Sequence, residues 1–422
     1  MQHRRDFIKN AAAFSAMLAS GGAAIGAQSG PRTFRVGMIG SGRRACAAFQ
    51  NMRAAAQTLG AEIRLVAAHD YFLDQARAAA AKLGCDEKFA FGGAAGYKEL
   101  LGTDCELVIL AAPPAFRPVH VAAAIAAGKH VFAEKPVAVD PPGIRQFLSA
   151  AAEAKAKKLS LVAGTQRRHQ GAYMQQALAI RQGKVGRILG GTIYWCQARG
   201  SVRPRRETDT NAGYMVNNWM NWAQMSGDHI VEQHVHNIDV ANWFIGKAPV
   251  AAVGVGSRLR RPTGNQYDFF SVDFDYGDGL HIHSLSRQIP GCYNRVGESL
   301  MTDVAEIMGG GKIRRFDGRA VELEDLGHEG DPYVMEHVDL LKGILEGRVL
   351  NEGEDVAMAT ATGIMGRISA YTGQVVRMTD LLTTTGSPFY SMAFKPAAAD
   401  FEGAADITLP EENAAPVAGK DA

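Results

Sequence analysis

From Thr33 the chain alternates short apolar runs with longer alanine-rich stretches that carry polar residues on one side. TFRVGMI leads into a glycine turn, a helical stretch as far as Leu59, a second apolar run ending in Asp70, and a second helix. The alternation continues with a strand over Leu107–Ala112, a helix over Pro118–Ala127, a strand over His130–Ala133, a helix over Pro141–Lys158 and a strand over Ser160–Gly164. Strands that are apolar throughout and separated by helices predict a parallel sheet covered on both faces, since neither face is reserved for water. Residues 32–165 are expected to form this α/β domain.

The grammar changes after Gly186. Arg187–Cys196, Val250–Leu259, Phe269–Tyr276 and Leu280–Arg287 read as strands, the last two joined by a hairpin turn at Gly277–Gly279. Helical spacing returns at Ile230–Phe244, Tyr333–Glu346 and Glu354–Tyr371. Residues 166–375 are therefore expected to form an α+β domain with a mostly antiparallel, open-faced sheet. The stretch 376–422 is rich in Thr, Pro, Gly and Ala without a sustained period, and is expected to wrap a neighbour or to be partly disordered.

The opening is read as an address. Residues 1–31 hold paired Arg4 and Arg5, a weakly apolar alanine-rich stretch and small residues before Gln28. This resembles a twin-arginine export signal, with cleavage expected after Ala27. Such a signal implies recognition by the twin-arginine machinery, export in the folded state and a periplasmic location. No later stretch approaches the roughly 18 uninterrupted apolar residues of a membrane span, so no stable membrane insertion is expected.

Composition narrows the partners. The 422 residues suggest two domains, and a net charge of +2 does not advertise a nucleic-acid surface. The five cysteines fall in no short-spaced pattern, so neither a disulfide scaffold nor a cysteine zinc site is expected. His229, His234 and His236 with Glu232 do not form a recognisable zinc motif either, and no metal is expected.

The sharpest chemistry is Gly40-Ser-Gly42-Arg43-Arg44-Ala45, which fits G-x-G-x-x-G/A between a strand and a helix. Gly40 permits the turn, Gly42 lets the backbone approach a pyrophosphate, and Ala45 allows close helix packing, making this a Rossmann dinucleotide site. Asp70 ends the second strand 28 residues beyond Gly42. Its carboxylate would accept from an adenosine ribose and repel a 2′-phosphate, which favours NAD over NADP; Arg43 and Arg44 argue the other way, since either can pair with a phosphate.

The stretch AAPPAFRPVHVAAAIAAGKHVFAEKPVAVD, Ala111 to Asp140, resembles the heart of the glucose–fructose oxidoreductase, inositol dehydrogenase and rhizopine-catabolism family (Gfo/Idh/MocA). The resemblance implies a nicotinamide-dependent carbohydrate oxidoreductase whose second domain carries substrate and subunit contacts. It implies further that Lys135 lies between nicotinamide and substrate, with Pro113, Glu134 and Gln166 near the cofactor. SGDHIVEQHVHNIDVANWFIG, Ser226 to Gly246, stands where the family shows D-x-G-x-H and reads Glu232, His234, His236, a departure in two of three positions. Glu232 and His236, four apart, would share one helical face. His236 would then take a proton from a secondary hydroxyl, Glu232 would orient it or share the substrate's hydroxyls, and Lys135 would stabilise the alkoxide or relay the proton. His234 would narrow the pocket, or, like His229, be a packed or capping residue.

Trp219 and Trp222 lie in a long polar segment and would form a stacking wall for a sugar, or anchor a crossover to the core. Arg168 and Arg287 are further substrate contacts in this reading. The leading function is an NAD-dependent oxidation of a sugar or polyol hydroxyl with the cofactor held tightly and regenerated in place. The alternative is an NAD-dependent glycoside hydrolase working by transient oxidation, β-elimination, water addition and re-reduction; a noncatalytic sugar-binding protein is the third. A homodimer or homotetramer is expected, because the open sheet face needs cover.

Overall fold

In the computed structural model, residues 31–419 are described; Arg4, Arg5 and the expected cleavage point after Ala27 lie outside them. The first sheet takes its strands from the apolar runs, β1 (Thr33–Ile39), β2 (Glu62–Asp70), β3 (Ala90–Gly92), β4 (Leu107–Leu110), β5 (His130–Ala133) and β6 (Leu161–Ala163). All pair in parallel, in the order β3-β2-β1-β4-β5-β6. The LVIL of β4 is buried at every position, as a strand covered on both faces must be. The chain winds outward in both directions from β1 and β4, so the carboxyl ends of these two strands open a crevice where ligands bind in such sheets.

The cover explains the alanine-rich helices. On α1 (Arg43–Thr58), Ala45, Ala48, Phe49, Met52 and Ala55 form the buried stripe, and the small side chains let the helix lie close to the sheet. Leu340 and Leu341 of α8 (Pro332–Leu345) complete that core. On the opposite face α3 (Arg117–Ala126) and α4 (Pro141–Ala156) are joined by Val356 and Ala357 of α9 (Gly353–Thr372). Thus the far end of the chain returns to the first sheet. Leu161 of β6 even takes main-chain bonds from this return, its N–H donating to Leu350 O at 2.8 Å and its carbonyl accepting from Glu352 N at 2.9 Å.

The second sheet has eight strands in the order β13-β12-β11-β7-β10-β9-β8-β14. They are β7 (Ile188–Gln197), β8 (Ala251–Ser257), β9 (Phe269–Asp275), β10 (His281–Gln288), β11 (Arg295–Thr302), β12 (Ala305–Met308), β13 (Lys312–Arg315) and β14 (Val376–Arg377). It is a mixed sheet, with β7 and β10 parallel at its centre and the remaining pairs antiparallel. Alternate residues are buried along β8, β9 and β10, and the inward set packs on α7 (Val235–Ile245) and α9. The outward set leaves Val253 and Val255 of β8 exposed, and Met301 of β11 is exposed on the same side. Strands β11 to β13 lay outside the sequence expectation because their open face carries Arg295, Glu306, Arg314 and similar polar residues, which dilute the apolar period.

One expected element is corrected. Ile230–Phe244 is not a single helix: α6 (His229–Glu232) stops and α7 begins at Val235. In an unbroken helix the Glu232 carbonyl would accept from His236 N. It accepts instead from Lys135 Nζ at 2.6 Å, while His236 N reaches back to Gln233 O at 3.4 Å.

Beyond β14 the chain runs over its own surface. Phe401 meets Phe116 edge-on at 5.1 Å between ring centroids. Asp406 accepts from the N–H groups of Asn211 (2.7 Å) and Ala212 (2.9 Å), capping α5 (Asn211–Asn217).

Candidate active site

The glycine loop sits at the end of β1. Gly40 has φ +83°, and a methyl group there would lie 2.4 Å from Ala112 N on the neighbouring strand end, so both conformation and crowding require glycine. Gly42 is different. Its φ of −72° suits any residue, and an added Cβ would meet nothing closer than Gln75 Nε2 at 3.7 Å. The protein does not itself demand glycine at this position; a ligand lying against the backbone would. No side chain caps α1, so its positive end and first-turn N–H groups are available to an anion.

Asp70 completes the loop. Its Oδ2 accepts from Ser41 N (2.8 Å) and Gln75 Nε2 (2.7 Å), and its Oδ1 from Phe72 N (3.0 Å). One lone pair of Oδ1 is left for a ribose hydroxyl. Gly40, Gly42, Arg43, Asp70 and Pro113 line one cavity of about 380 Å³. These features fit a dinucleotide, with the diphosphate on Gly42 and the start of α1 and the adenosine ribose on Asp70.

Arg44 does not face that cavity. Its Nε donates to Glu134 Oε1 at 2.5 Å and its second nitrogen to Glu336 Oε1 at 3.4 Å, with the guanidinium over Tyr333. Of the two arginines weighed as phosphate partners, only Arg43 therefore remains in position. Burial alone would lower the Arg44 guanidinium, but Glu134 and Glu336 hold it above its ordinary value. Burial and the nearby Glu134 raise Glu336 well above the usual carboxylate range. Gln166 donates to Tyr333 at 3.2 Å, and its buried Oε1 has no partner.

Lys135 follows Glu134 at the end of β5. Its Nζ donates to Glu232 O at 2.6 Å and to Glu232 Oε1 at 3.0 Å, which uses two of its three donors. His236 lies beside this pair, stacked on Trp195 at 5.7 Å between ring centroids, with its Nδ1 buried and unpartnered. Burial first, then the charge of Lys135, holds His236 well below its ordinary pKa; it is a neutral imidazole beside a cation. The three residues are thus brought together although Glu232 and His236 do not share a helix.

Supporting residues emerged only from the structure. Glu298 of β11 accepts from Arg167 at 2.5 Å and from Asn237 at 2.6 Å, fixing the first turn of α7 just after His236. Arg117 is buried and donates to Ala112 O at 2.5 Å and to Pro136 O, tying the ends of β4 and β5 together. Its position inside the segment Ala111 to Asp140 was the available signal.

Four expected substrate contacts are engaged with the protein itself. Trp222 is fully buried among Tyr214, Met215 and Phe116, so it anchors the crossover instead of forming a wall for a sugar. Arg168 is held by Asp239 through three contacts of 2.8 to 3.1 Å. His234 is buried and bonds Ser284 Oγ at 2.8 Å; burial and the charge of Arg167 push it down to about 3. Arg287 donates to Ile289 O, Tyr293 O and Asn294 Oδ1 of its own following loop. Trp219, in contrast, lines the dinucleotide cavity. Among the described residues no group of three or more His, Cys, Asp and Glu is arranged to hold a metal.

A parallel dinucleotide-binding domain joined to an α+β domain with a mixed open sheet is the class that this fold and site define. The model described as "Oxidoreductase family, NAD-binding Rossmann fold" matches residues 34–162, and that of the "GFO/IDH/MocA C-terminal domain" matches residues 173–309. Together they span more than half of the sequence, and the chain belongs to the Gfo/Idh/MocA oxidoreductase family. It is 27% identical over 243 residues to an inositol 2-dehydrogenase of Rhizobium meliloti (strain 1021), a match covering 57% of this chain and 64% of the relative. The chain thus spans less than two thirds of that relative's length. In fold it is similar to a levoglucosan dehydrogenase solved with NADH and levoglucosan (TM-score 0.66, 18% identity, 82% of this chain and 100% of the other). An aldose-aldose oxidoreductase from Caulobacter crescentus gives a TM-score of 0.65 at 17% identity, over 82% of this chain and 100% of the other.

Proposed function

We propose that the protein oxidises a secondary hydroxyl of a sugar or polyol with an NAD that it keeps bound between turnovers. The observation that carries this reading is the Lys135–Glu232 pair beside a neutral His236, at the end of the strand next to the glycine loop's own neighbour β4. The nicotinamide, when bound, supplies the hydride acceptor. Lys135, with one donor left, binds the substrate hydroxyl and stabilises negative charge on its oxygen. His236 is neutral at physiological pH and takes the proton. Glu232 holds the ammonium in place. The inositol, levoglucosan and aldose activities named for the similar proteins support a carbohydrate substrate.

The twin-arginine-like opening supports export in the folded state to the periplasm, where free cofactor is scarce, and so supports a retained NAD. The exposed Val253 and Val255 on the open face of the second sheet support a homo-oligomer. The deciding experiment mixes the purified protein with a panel of sugars, polyols and aryl glycosides, and follows bound reduced nicotinamide and product masses. Reduction of bound NAD by one compound, reoxidation by a second, and products differing by two hydrogens are expected. Aglycone release without net redox change would replace this reading with the oxidation–elimination hydrolase. A protein that binds no nucleotide would end both.

A further inference from the structure

The dinucleotide cavity has two walls of different origin. One is the expected set at the ends of β1, β2 and β4. The other comes from a later segment of the chain, between β7 and α6, which contributes Ser201, Arg203, Asn217, Trp219 and Met220. Neither Lys135, Glu232 nor His236 lines this cavity, so the wall stands at the Asp70 end, where adenosine belongs, and not at the hydride-transfer end. Trp219 is half-buried there, an indole at the surface of a polar cavity.

The segment is fastened from within and from outside. Within, the buried Asn218 side chain accepts from Arg203 N (3.0 Å) and Asn221 Nδ2 (2.7 Å) and donates to Thr263 Oγ1 (3.2 Å), while Trp222 is a plug in the core below. Outside, the carboxy-terminal stretch holds it down. Asp406 caps α5 through two main-chain N–H groups, Ile407 O accepts from Asn211 Nδ2 at 2.9 Å, and Glu412 accepts from Tyr214 OH at 2.9 Å. Phe401 packs on Phe116, itself a lining residue of the cavity.

We propose that the segment Ser201–Met220 is the outer wall of an adenosine subsite, with Trp219 as its stacking surface, and that the carboxy-terminal stretch clamps it closed so that a bound dinucleotide leaves slowly. The proposal rests on the NAD reading and deepens it: it assigns retention to named residues of this chain. An aromatic ring offers adenine a π-face without reading its edge. Release of the ligand then requires the segment to lift, and that local opening is opposed by the core plug and the helix cap. Arg43 and Arg203, both lining the cavity, add positive charge for the diphosphate.

The test uses the full-length protein and two fragments of the cofactor, ADP-ribose and nicotinamide mononucleotide, with affinities from calorimetry. NAD release after rapid gel filtration is followed by mass. Trp219→Ala should weaken ADP-ribose about tenfold or more while leaving nicotinamide mononucleotide unchanged, and Trp219→Phe should restore most of the loss. Asp406→Ala should speed NAD release about tenfold at an unchanged association rate; Lys395→Ala, in the same stretch but on an exposed pair with Asp400, should release NAD as the wild type does. Melting curves identify any variant that fails to fold, in which case Trp219→Phe and Asp406→Asn carry the comparison. Equal ADP-ribose affinity for wild type and Trp219→Ala overturns the subsite, and unchanged release from Asp406→Ala overturns the clamp. Wild-type protein that binds neither NAD nor ADP-ribose overturns the NAD reading itself.

Discussion

Lys135 and His236 share one neighbourhood at the centre of the candidate site. The ammonium is paired with Glu232, and burial together with that ammonium keeps the imidazole neutral. Replacing either residue with alanine should slow reduction of bound NAD by about 10²- to 10⁴-fold and leave the amount of bound nucleotide unchanged, measured by stopped-flow absorbance and by mass after acid quench. Loss of nucleotide from both variants would place them in binding instead. The two loop glycines offer a second residue-scale contrast. Gly40→Ala combines a left-handed φ with a backbone collision and should cost at least about 1–3 kcal/mol of stability. Gly42→Ala has room and an ordinary φ, so on protein stripped of nucleotide, where no ligand adds to stability, its denaturation midpoint should stay near wild type while NAD affinity falls. Equal loss of stability in both would mean that Gly42 serves the fold and not a ligand.

At the scale of elements, a charged network joins the turn Gln166–His169 to α8 and to the start of α9. His169 hydrogen-bonds Asp339 through Nδ1 at 2.6 Å, and its Nε2 lies at ion-pair distance, 3.0 Å, from Glu352. Burial alone would lower its pKa, but Glu352 and Asp339 raise it to about 10. The unfolded value is about 6.5. Because the folded value is the higher one, the folded state binds the extra proton; the stabilisation is complete below the unfolded pKa and is lost as pH rises toward about 10. Thermal midpoints should therefore fall between neutral pH and pH 10, and His169→Gln should be less stable at neutral pH with a flatter profile over that window. A wild-type midpoint that rises across the window would contradict the assignment.

For the whole molecule, the second sheet buries one face against α7 and α9 and leaves the other open, with Val253 52% and Val255 63% exposed. Exposed valines on an otherwise mixed sheet face are a place for another surface to cover, and a two-fold partner presents the same patch. Sedimentation equilibrium should show a dimer or a tetramer at micromolar concentration, and Val255→Lys should shift it toward monomer without changing NAD binding. A monomeric wild type would leave the face without that role. The same scale explains the fastening of the first sheet, since α8 and α9 come from residues after 330 and cover it, and α9 makes that cover continuous with the second sheet's core.

The parallel sheet and the glycine loop were legible in the sequence because each is a local pattern, apolar runs of strand length and a turn between strand and helix, while Glu134 and Lys135 were pointed to by the family resemblance of Ala111 to Asp140. The break between Glu232 and His236 was not legible, since helical spacing continues through it and only Lys135, 97 residues away, claims the carbonyl. Nor did sequence separate Arg167 from Arg168, or Trp219 from Trp222. Their local settings are alike, and what divides them is a distant partner: Glu298 or Asp239 for the arginines, an open cavity or a packed core for the tryptophans. Periodicity reports which face of an element is buried; which buried or half-buried side chain meets a ligand is decided by elements that pack against it from elsewhere in the chain.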